Sequence, residues 1–181
     1  MYTYVKRFID IIGSIVFMII FSPLMLVIYI MLKINLGGKM VYKQERYGLN
    51  RKVFNIYKFK TMHDDHSIEH NLRLTKFSEF VRKTGLDELP QLLNIFKGEM
   101  SLIGPRPFMV HDPSLPDSAH HPKRYKVKPG VLGMAQAKGR RWSTHDEKMM
   151  WDLKYVDEIS FWTDFKLFFS SIRVVFIQLF K

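Results

Sequence analysis

The chain has 181 residues, with 28 Lys and Arg against 17 Asp and Glu and no cysteine. That length holds one domain with a real core, and the missing thiols exclude disulfides and thiolate metal sites. A formal charge of +11 calls for an anionic partner, whether a membrane surface, a nucleotide diphosphate or nucleic acid, without choosing among them.

Between Asp10 and Lys33 lie 22 residues without a formal charge, enough at about 1.5 Å per helical residue to cross a hydrocarbon core of about 30 Å. Pro23 falls within this run, where it removes a backbone donor and kinks a helix, and Ser22 can bond the carbonyl thus freed. Lys6 and Arg7 precede the segment and Lys33, Lys39, Lys43 and Arg46 follow it, so the positive-inside tendency holds both ends on one side. A re-entrant hairpin bending at Ser22 and Pro23 satisfies both ends; a spanning helix is the alternative. No small-residue cleavage site follows the apolar run, which argues against a cleaved leader.

Met40–Gln44 and Val53–Lys60 read as two short strands joined through Gly48, Leu49 and Asn50. Basic residues from Lys33 to Lys60 are opposed only by Glu45, which suits a face beside anionic lipid. Lys58 and Lys60 share one side of their strand and can face phosphate. His66 and His70 have the spacing of two zinc ligands on a helix, but nothing nearby supplies a fixed third, so 63–70 reads as an exposed loop. Thr75 caps a helix through Lys83 with Phe77, Phe80 and Val81 on its apolar side, and Arg82 emerges from the last turn.

Leu89, Leu92, Leu93 and Phe96 recur at helical spacing between Gly85 and Gly98, which predicts a short helix beginning at Asp87. Asp87 is then the N-cap, Glu88 sits where the helix dipole favours negative charge, and Pro90 is tolerated in the first turn. Capping alone would explain Asp87. The nearby Pro105-Arg106-Pro107 adds a second observation: prolines on either side present the guanidinium from stiff backbone, and that fork suits phosphate oxygens. Neighbouring helical residues point apart, so Asp87 and Glu88 divide the work. One can attack phosphorus while the other holds a hard divalent cation.

The loop from Asp112 to Asp117 is too rich in proline for a regular element. Glycines spaced through Lys126–Arg141 allow close backbone approach to a ligand. Thr144-His145-Asp146-Glu147 is a capping box opening a helix that carries Met150, Trp151, Leu153 and Tyr155. Ser160 caps a last helix, Phe161 to Phe180, whose aromatic residues exceed what one core-facing stripe needs, which places it partly in a membrane interface.

The runs Leu86-Asp87-Glu88-Leu89-Pro90-Gln91-Leu92 and Met100-Ser101-Leu102-Ile103-Gly104-Pro105-Arg106-Pro107 resemble the bacterial sugar transferase family, the monotopic phosphoglycosyl transferases. The likeness extends to Gln44, Arg46 and Gly48, to Lys58 through Met62, to Arg82 ahead of the acidic pair, and to the Pro129-Gly130…Gln136…Gly139-Arg140 segment. Leu132 stands where the family commonly has threonine. The resemblance implies an α/β fold, mostly helical with a small β-hairpin. Residues 1–35 would form the re-entrant membrane hairpin and 36–181 a catalytic domain resting on interfacial helices, at the cytoplasmic face of the bacterial inner membrane.

It also implies transfer of a phosphosugar from a UDP-sugar to polyprenol phosphate with release of UMP, the first membrane step of glycan assembly, whose product passes to downstream membrane glycosyltransferases. Asp87 would be the nucleophile and Glu88 the magnesium ligand. Lys58, Lys60, Arg82 and the Pro105-Arg106-Pro107 strap would meet phosphate, and Gln136 and Arg140 the nucleotide sugar. Nucleic acid is not an expected partner of such an enzyme. The competing class is a non-enzymatic basic membrane-surface protein that binds anionic lipid or nucleic acid, for which the acidic pair and Pro-Arg-Pro are accidents.

Overall fold

The computed structural model describes residues 2–64, 73–111, 121–138 and 144–179, with the side chains of 175–179 left aside. Helix α1 (Tyr2–Leu36) opens the chain. It is followed by strands β1 (Val41–Tyr47) and β2 (Val53–Phe59) and by helix α2 (Lys76–Thr84). A 3₁₀ turn (Leu86–Gln91) then runs directly into α3 (Leu92–Lys97). After β3 (Ser101–Ile103), a 3₁₀ turn (Pro122–Lys126) and β4 (Gly130–Leu132) come α4 (Met134–Ala137), α5 (His145–Glu158) and α6 (Phe161–Leu179).

α1 is one helix, and it passes through Ser22 and Pro23 without dividing in two. Proline at 23 leaves the Ile19 carbonyl without its usual donor four residues on. Ser22 Oγ donates to that carbonyl at 2.8 Å, so the freed acceptor is satisfied locally. One side of α1 lies along the rest of the chain. Near its start, Lys6 pairs with Asp164 at 2.5 Å, and Arg7 donates to the carbonyls of Ile95 and Phe96 at 2.6 and 2.7 Å. The buried Asp10 carboxylate accepts from Ser101 Oγ and the Leu102 amide. Near its end, Ile28 and Leu32 are buried with Met40, Phe59 and Val81, each large aliphatic side chain contributing about 2 kcal/mol. The opposite side, from Tyr4 and Phe8 through Ile19 and Ile20 to Ile30 and Ile34, is apolar and exposed. Only a tenth of its most apolar stretch is covered, whereas a core helix of a soluble domain would be mostly buried.

β1 and β2 form an antiparallel hairpin in which Tyr42 faces Lys58 and Gln44 faces Ile56. Its connection turns through Leu49–Arg51, and the left-handed positions are Asn50 and Arg51, with Gly48 in extended backbone. β3 and β4 pair in parallel, a pairing the sequence reading does not anticipate. They require glycines because the two backbones nearly touch: a Cβ on Gly130 would sit 2.1 Å from the Gly104 nitrogen. The close approach that these glycines permit is therefore to each other's backbone.

Thr75 caps α2 as expected, reciprocally with Ser78, and Thr144 and Glu147 form the capping box of α5. Ser160 Oγ accepts from the Thr163 amide at the start of α6. Four apolar assignments, Phe80, Leu93, Phe96 and Met150, are corrected. Phe80, Leu93 and Phe96 are about half exposed, while Val81 and Leu92 turn inward as expected, together with Ile95. On α5 the buried residues are Met149, Asp152 and Tyr155, while Met150 is exposed. On α6, Phe161, Trp162, Phe165 and Phe169 form an exposed aromatic face, and Leu167 and Phe168 turn to the core. The Phe168 ring stacks on Phe17 of α1, bringing the apolar sides of the two helices together.

Candidate active site

Gly85 adopts φ +75, a conformation that suits glycine, and there it ends α2 and begins the 3₁₀ turn at once. Its carbonyl accepts from the Glu88 amide at 3.0 Å. This shifts the start of the turn upstream of the expected point and corrects the capping role of Asp87. The N-cap is Gly85, with no side-chain cap bond, and Asp87 lies inside the turn, its carboxylate accepting from no backbone amide among the described residues. The capping explanation for Asp87 is thereby removed.

Asp87 and Glu88 do diverge. Glu88 Oε1 accepts from Lys58 Nζ at 2.7 Å and from Arg106 Nη2 at 2.5 Å, and Oε2 lies 3.4 Å from Arg106 Nη1. Burial pushes the Glu88 carboxyl up, but Arg106 and Lys58 more than reverse this and hold it at about 2. Asp87 is 9% exposed. Burial and the adjacent Glu88 raise its pKa to about 6, against the pull of Lys58, Arg106 and Arg82. Two neighbouring carboxylates thus sit in opposite states of readiness, one firmly ionised by its partners and one poised near neutrality, a pattern frequent at reacting centres.

Each partner is delivered by a different element. Lys58 comes from β2, whose edge is tied to α3 by the fully buried Asn94: Oδ1 accepts from the Tyr57 amide at 3.1 Å, and Nδ2 donates to the Asn55 carbonyl at 2.7 Å. Arg106 follows β3. A small cavity lies beside the pair, lined by Arg46, Ile56, Lys58, Gln91, Arg106, Pro107 and Gly130. Three cationic side chains on one cavity suit an anionic group such as phosphate.

The other expected site residues distribute less evenly. Arg82 is exposed and lies near enough to lower the Asp87 pKa, while its guanidinium reaches Met62 Sδ at 3.4 Å. Lys60, one residue past the end of β2, bonds Asp64 at 2.6 Å, whereas Lys58 bonds Glu88. Pro105 and Pro107 frame Arg106, with the Pro105 carbonyl accepting from Gly130 and the Pro107 carbonyl from Arg46. Gln136 Oε1 accepts from the Gly133 amide at 2.8 Å and closes the turn into α4. Arg140 lies outside the described residues, as do His66, Glu69, His70 and the loop 112–117.

Sequence reasoning missed Asn94, and with it Arg124 and Asp152. Arg124 is 3% exposed, its Nε donates to Asp152 Oδ2 at 2.8 Å, its Nη2 donates to the Arg106 carbonyl, and its guanidinium lies 3.6 Å from the Phe108 ring centre. A lone arginine in a basic stretch gives no signal of burial. The one available hint was Asp152 on the apolar side of α5, at the helical spacing of Met149 and Tyr155.

Among the described residues no three His, Cys, Asp or Glu side chains converge as a metal cage. Magnesium bound with phosphate substrates takes one or two carboxylates and fills the rest of its shell with water and phosphate oxygens. Glu88, the carboxylate expected to hold such an ion, has Lys58 and Arg106 on its oxygens here, so it could serve as one ligand only in exchange for one of those contacts.

The chain is 37% identical to the uncharacterised sugar transferase EpsL of Bacillus subtilis, over 96% of this chain and 88% of that protein. It is 37% identical to the UDP-glucose:undecaprenyl-phosphate glucose-1-phosphate transferase of Klebsiella pneumoniae, over 96% of this chain and 40% of that protein. It is 35% identical to the undecaprenyl-phosphate galactose phosphotransferase of Salmonella typhimurium, over 95% of this chain and 40% of that protein. The chain thus spans most of the first relative and about two fifths of the other two. The profile of the bacterial sugar transferase family matches residues 1–178, and the chain belongs to that family.

Proposed function

We propose that the protein transfers a phosphosugar from a UDP-sugar to polyprenol phosphate, undecaprenyl phosphate in the relatives, giving polyprenyl diphosphate-sugar and UMP. The observation that carries the reading is the divided acidic pair: Glu88 held ionised by Lys58 and Arg106, beside an Asp87 that lies inside the turn and not at its cap. A family whose members carry names such as undecaprenyl-phosphate glucose phosphotransferase supplies the substrate class.

In this account Asp87 attacks the sugar-bearing phosphorus of the donor. The bond from that phosphorus to the bridging oxygen breaks, and UMP leaves with the oxygen. An oxygen of polyprenol phosphate then attacks the same phosphorus and releases Asp87, so that atoms and charge balance over two displacements. A pKa near 6 leaves Asp87 mostly ionised at neutral pH while keeping it more basic than an ordinary aspartate. Lys58 and Arg106, which bind Glu88 and line the cavity beside it, would neutralise the growing charge on the donor phosphates, with Arg82 at the rim. Glu88 would hold magnesium, which would supply charge stabilisation on the transferring group.

The membrane element serves the lipid substrate. Arg7 and Leu32 are 25 residues apart, about 38 Å along a helix, yet both ends of α1 pack on the folded unit that carries the acidic pair. A span would place one end across the bilayer from its own contacts. We therefore read α1 as re-entrant, entering one leaflet, bending at Ser22 and Pro23 and returning, with the aromatic face of α6 beside it in the interface. The basic flanks favour the cytoplasmic face of the inner membrane for the catalytic unit, where its product would stay in the bilayer for membrane glycosyltransferases.

The test is a direct assay. Protein in nanodiscs with magnesium, undecaprenyl phosphate and a panel of UDP-sugars should release UMP with at least one donor and form a lipid-linked sugar diphosphate. Failure to release UMP from any donor, by protein that is folded and membrane-bound, would contradict the reading.

A further inference from the structure

The segment 105–108 presents an unusual problem in backbone bonding. Pro105 and Pro107 have no N–H, so the strap that carries Arg106 can offer few donors to a neighbouring strand. It is held instead by its acceptors, and four successive carbonyls are each taken. Pro105 accepts from the Gly130 amide at 2.9 Å, Arg106 from Arg124 Nη2, Pro107 from Arg46 Nη1 at 3.0 Å, and Phe108 from the Tyr47 amide at 3.0 Å. Where neighbouring backbone supplies no donor, an arginine does.

The two arginines differ in one respect. Arg46 lines the cavity beside Glu88 and can meet a ligand itself. Arg124 does not line it, and its side chain is 2% exposed. Asp152 of α5 fixes one edge of its guanidinium, the Phe108 ring lies against it, and the remaining edge points to the Arg106 carbonyl. A buried ion pair of this kind is a poor way to gain stability, because desolvating two charges offsets most of their attraction. What it supplies is direction. On the same side of α5, Tyr155 Oη donates to Asp164 Oδ1 at 2.8 Å and lies 3.1 Å from the Ile103 carbonyl, so α5 also borders the strand before the strap.

We propose that Arg124, locked by Asp152, is a positioning residue for Arg106: by fixing the Arg106 carbonyl from behind, it aims the Arg106 guanidinium at Glu88 and the incoming phosphate. The proposal rests on the reaction proposed above for its kinetic consequence and on the strap geometry alone for its structural one. A displacement of about 1 Å in a positioning group can cost on the order of 100-fold in rate, so the loss should appear mainly in turnover.

The test uses Arg124→Lys, Arg106→Ala and the double variant, in nanodiscs. Lysine keeps a charge opposite Asp152, but its single ammonium cannot also replace the guanidinium fork at the Arg106 carbonyl. Arg124→Lys should keep its fold and membrane binding, with turnover down roughly 10- to 100-fold and KM for the UDP-sugar changed less than about 3-fold. In the Arg106→Ala background the same substitution should cost less than about 2-fold, because its route of action has gone. Hydrogen exchange should quicken in peptides covering 104–110 and stay unchanged in α1.

Independent, multiplicative losses in the double variant would overturn the proposal, as would exchange in 104–110 equal to wild type. If Arg124→Lys fails to fold, Asp152→Asn, which keeps an acceptor for Nε, is read by the same cycle and the same peptides. Faster exchange in 104–110 in a protein that, as wild type, transfers from no UDP-sugar would support the clamp and contradict the reaction.

Discussion

Lys58 Nζ donates to Glu88 Oε1 at 2.7 Å, joining the β-hairpin to the 3₁₀ turn through the same oxygen that Arg106 reaches from the strap after β3. Three segments distant in sequence thus meet on one carboxylate. Its depressed pKa has a thermodynamic sign. A carboxylate held at about 2 against an ordinary 4.5 contributes stability that is present above pH 4.5 and lost as pH falls through 2. Glu88→Gln should remove at most about 3 kcal/mol at neutral pH, together with transfer activity. Thermal denaturation of wild type and variant should converge toward pH 2; a constant gap down to that pH would show that the loss comes from packing.

Asp87 behaves in the opposite sense. Its pKa, raised to about 6, means that the stability conferred by its protonated form is present below pH 4 and lost as pH rises through 6. Asp87→Asn should therefore melt several degrees above wild type at pH 7.5 and match it near pH 4, with an upper bound of about 3 kcal/mol. Such a variant would be more stable and inactive together, as expected where a strained charge is kept for chemistry.

Two glycines separate space from backbone conformation. A Cβ on Gly130 would lie 2.1 Å from backbone nitrogen, whereas one on Gly85 would meet nothing within 4 Å, its φ of +75 being the only obstacle. Gly85→Ala should cost about 1–2 kcal/mol. Gly130→Ala should exceed that clearly and displace Gly104 and the strap, so chemical denaturation should rank the two in that order.

The topology of α1 can be read by labelling. Cysteines placed singly at Thr3 and Lys39 should react with an impermeant maleimide from the same side of sealed vesicles. Labelling from opposite sides would make α1 a span.

Much of this arrangement was legible in the sequence because it is local. The caps at Thr75 and Thr144, the stops at Gly85 and Gly98, the hairpin and the Ser22–Pro23 pair all announce themselves within a few residues. What stayed hidden is long-range. Asp87 looks like an N-cap until Gly85 is seen to end one helix and start the next turn. Lys60 looks equivalent to Lys58 until β2 is seen to stop between them. The parallel pairing of β3 with β4 joins three-residue strands too short to show a period, and Arg124 gains its meaning from Asp152 and Arg106, 28 and 18 residues away.

The measurement closest to the centre of this account is the intact mass of the nanodisc-held protein after incubation with magnesium and UDP-sugars, without lipid acceptor, beside Asp87→Asn. The account predicts a phosphosugar adduct on wild type, absent from the variant and discharged when polyprenol phosphate is added. Transfer to polyprenol phosphate by a wild-type protein that never carries the adduct, or by Asp87→Asn at an undiminished rate, would contradict it.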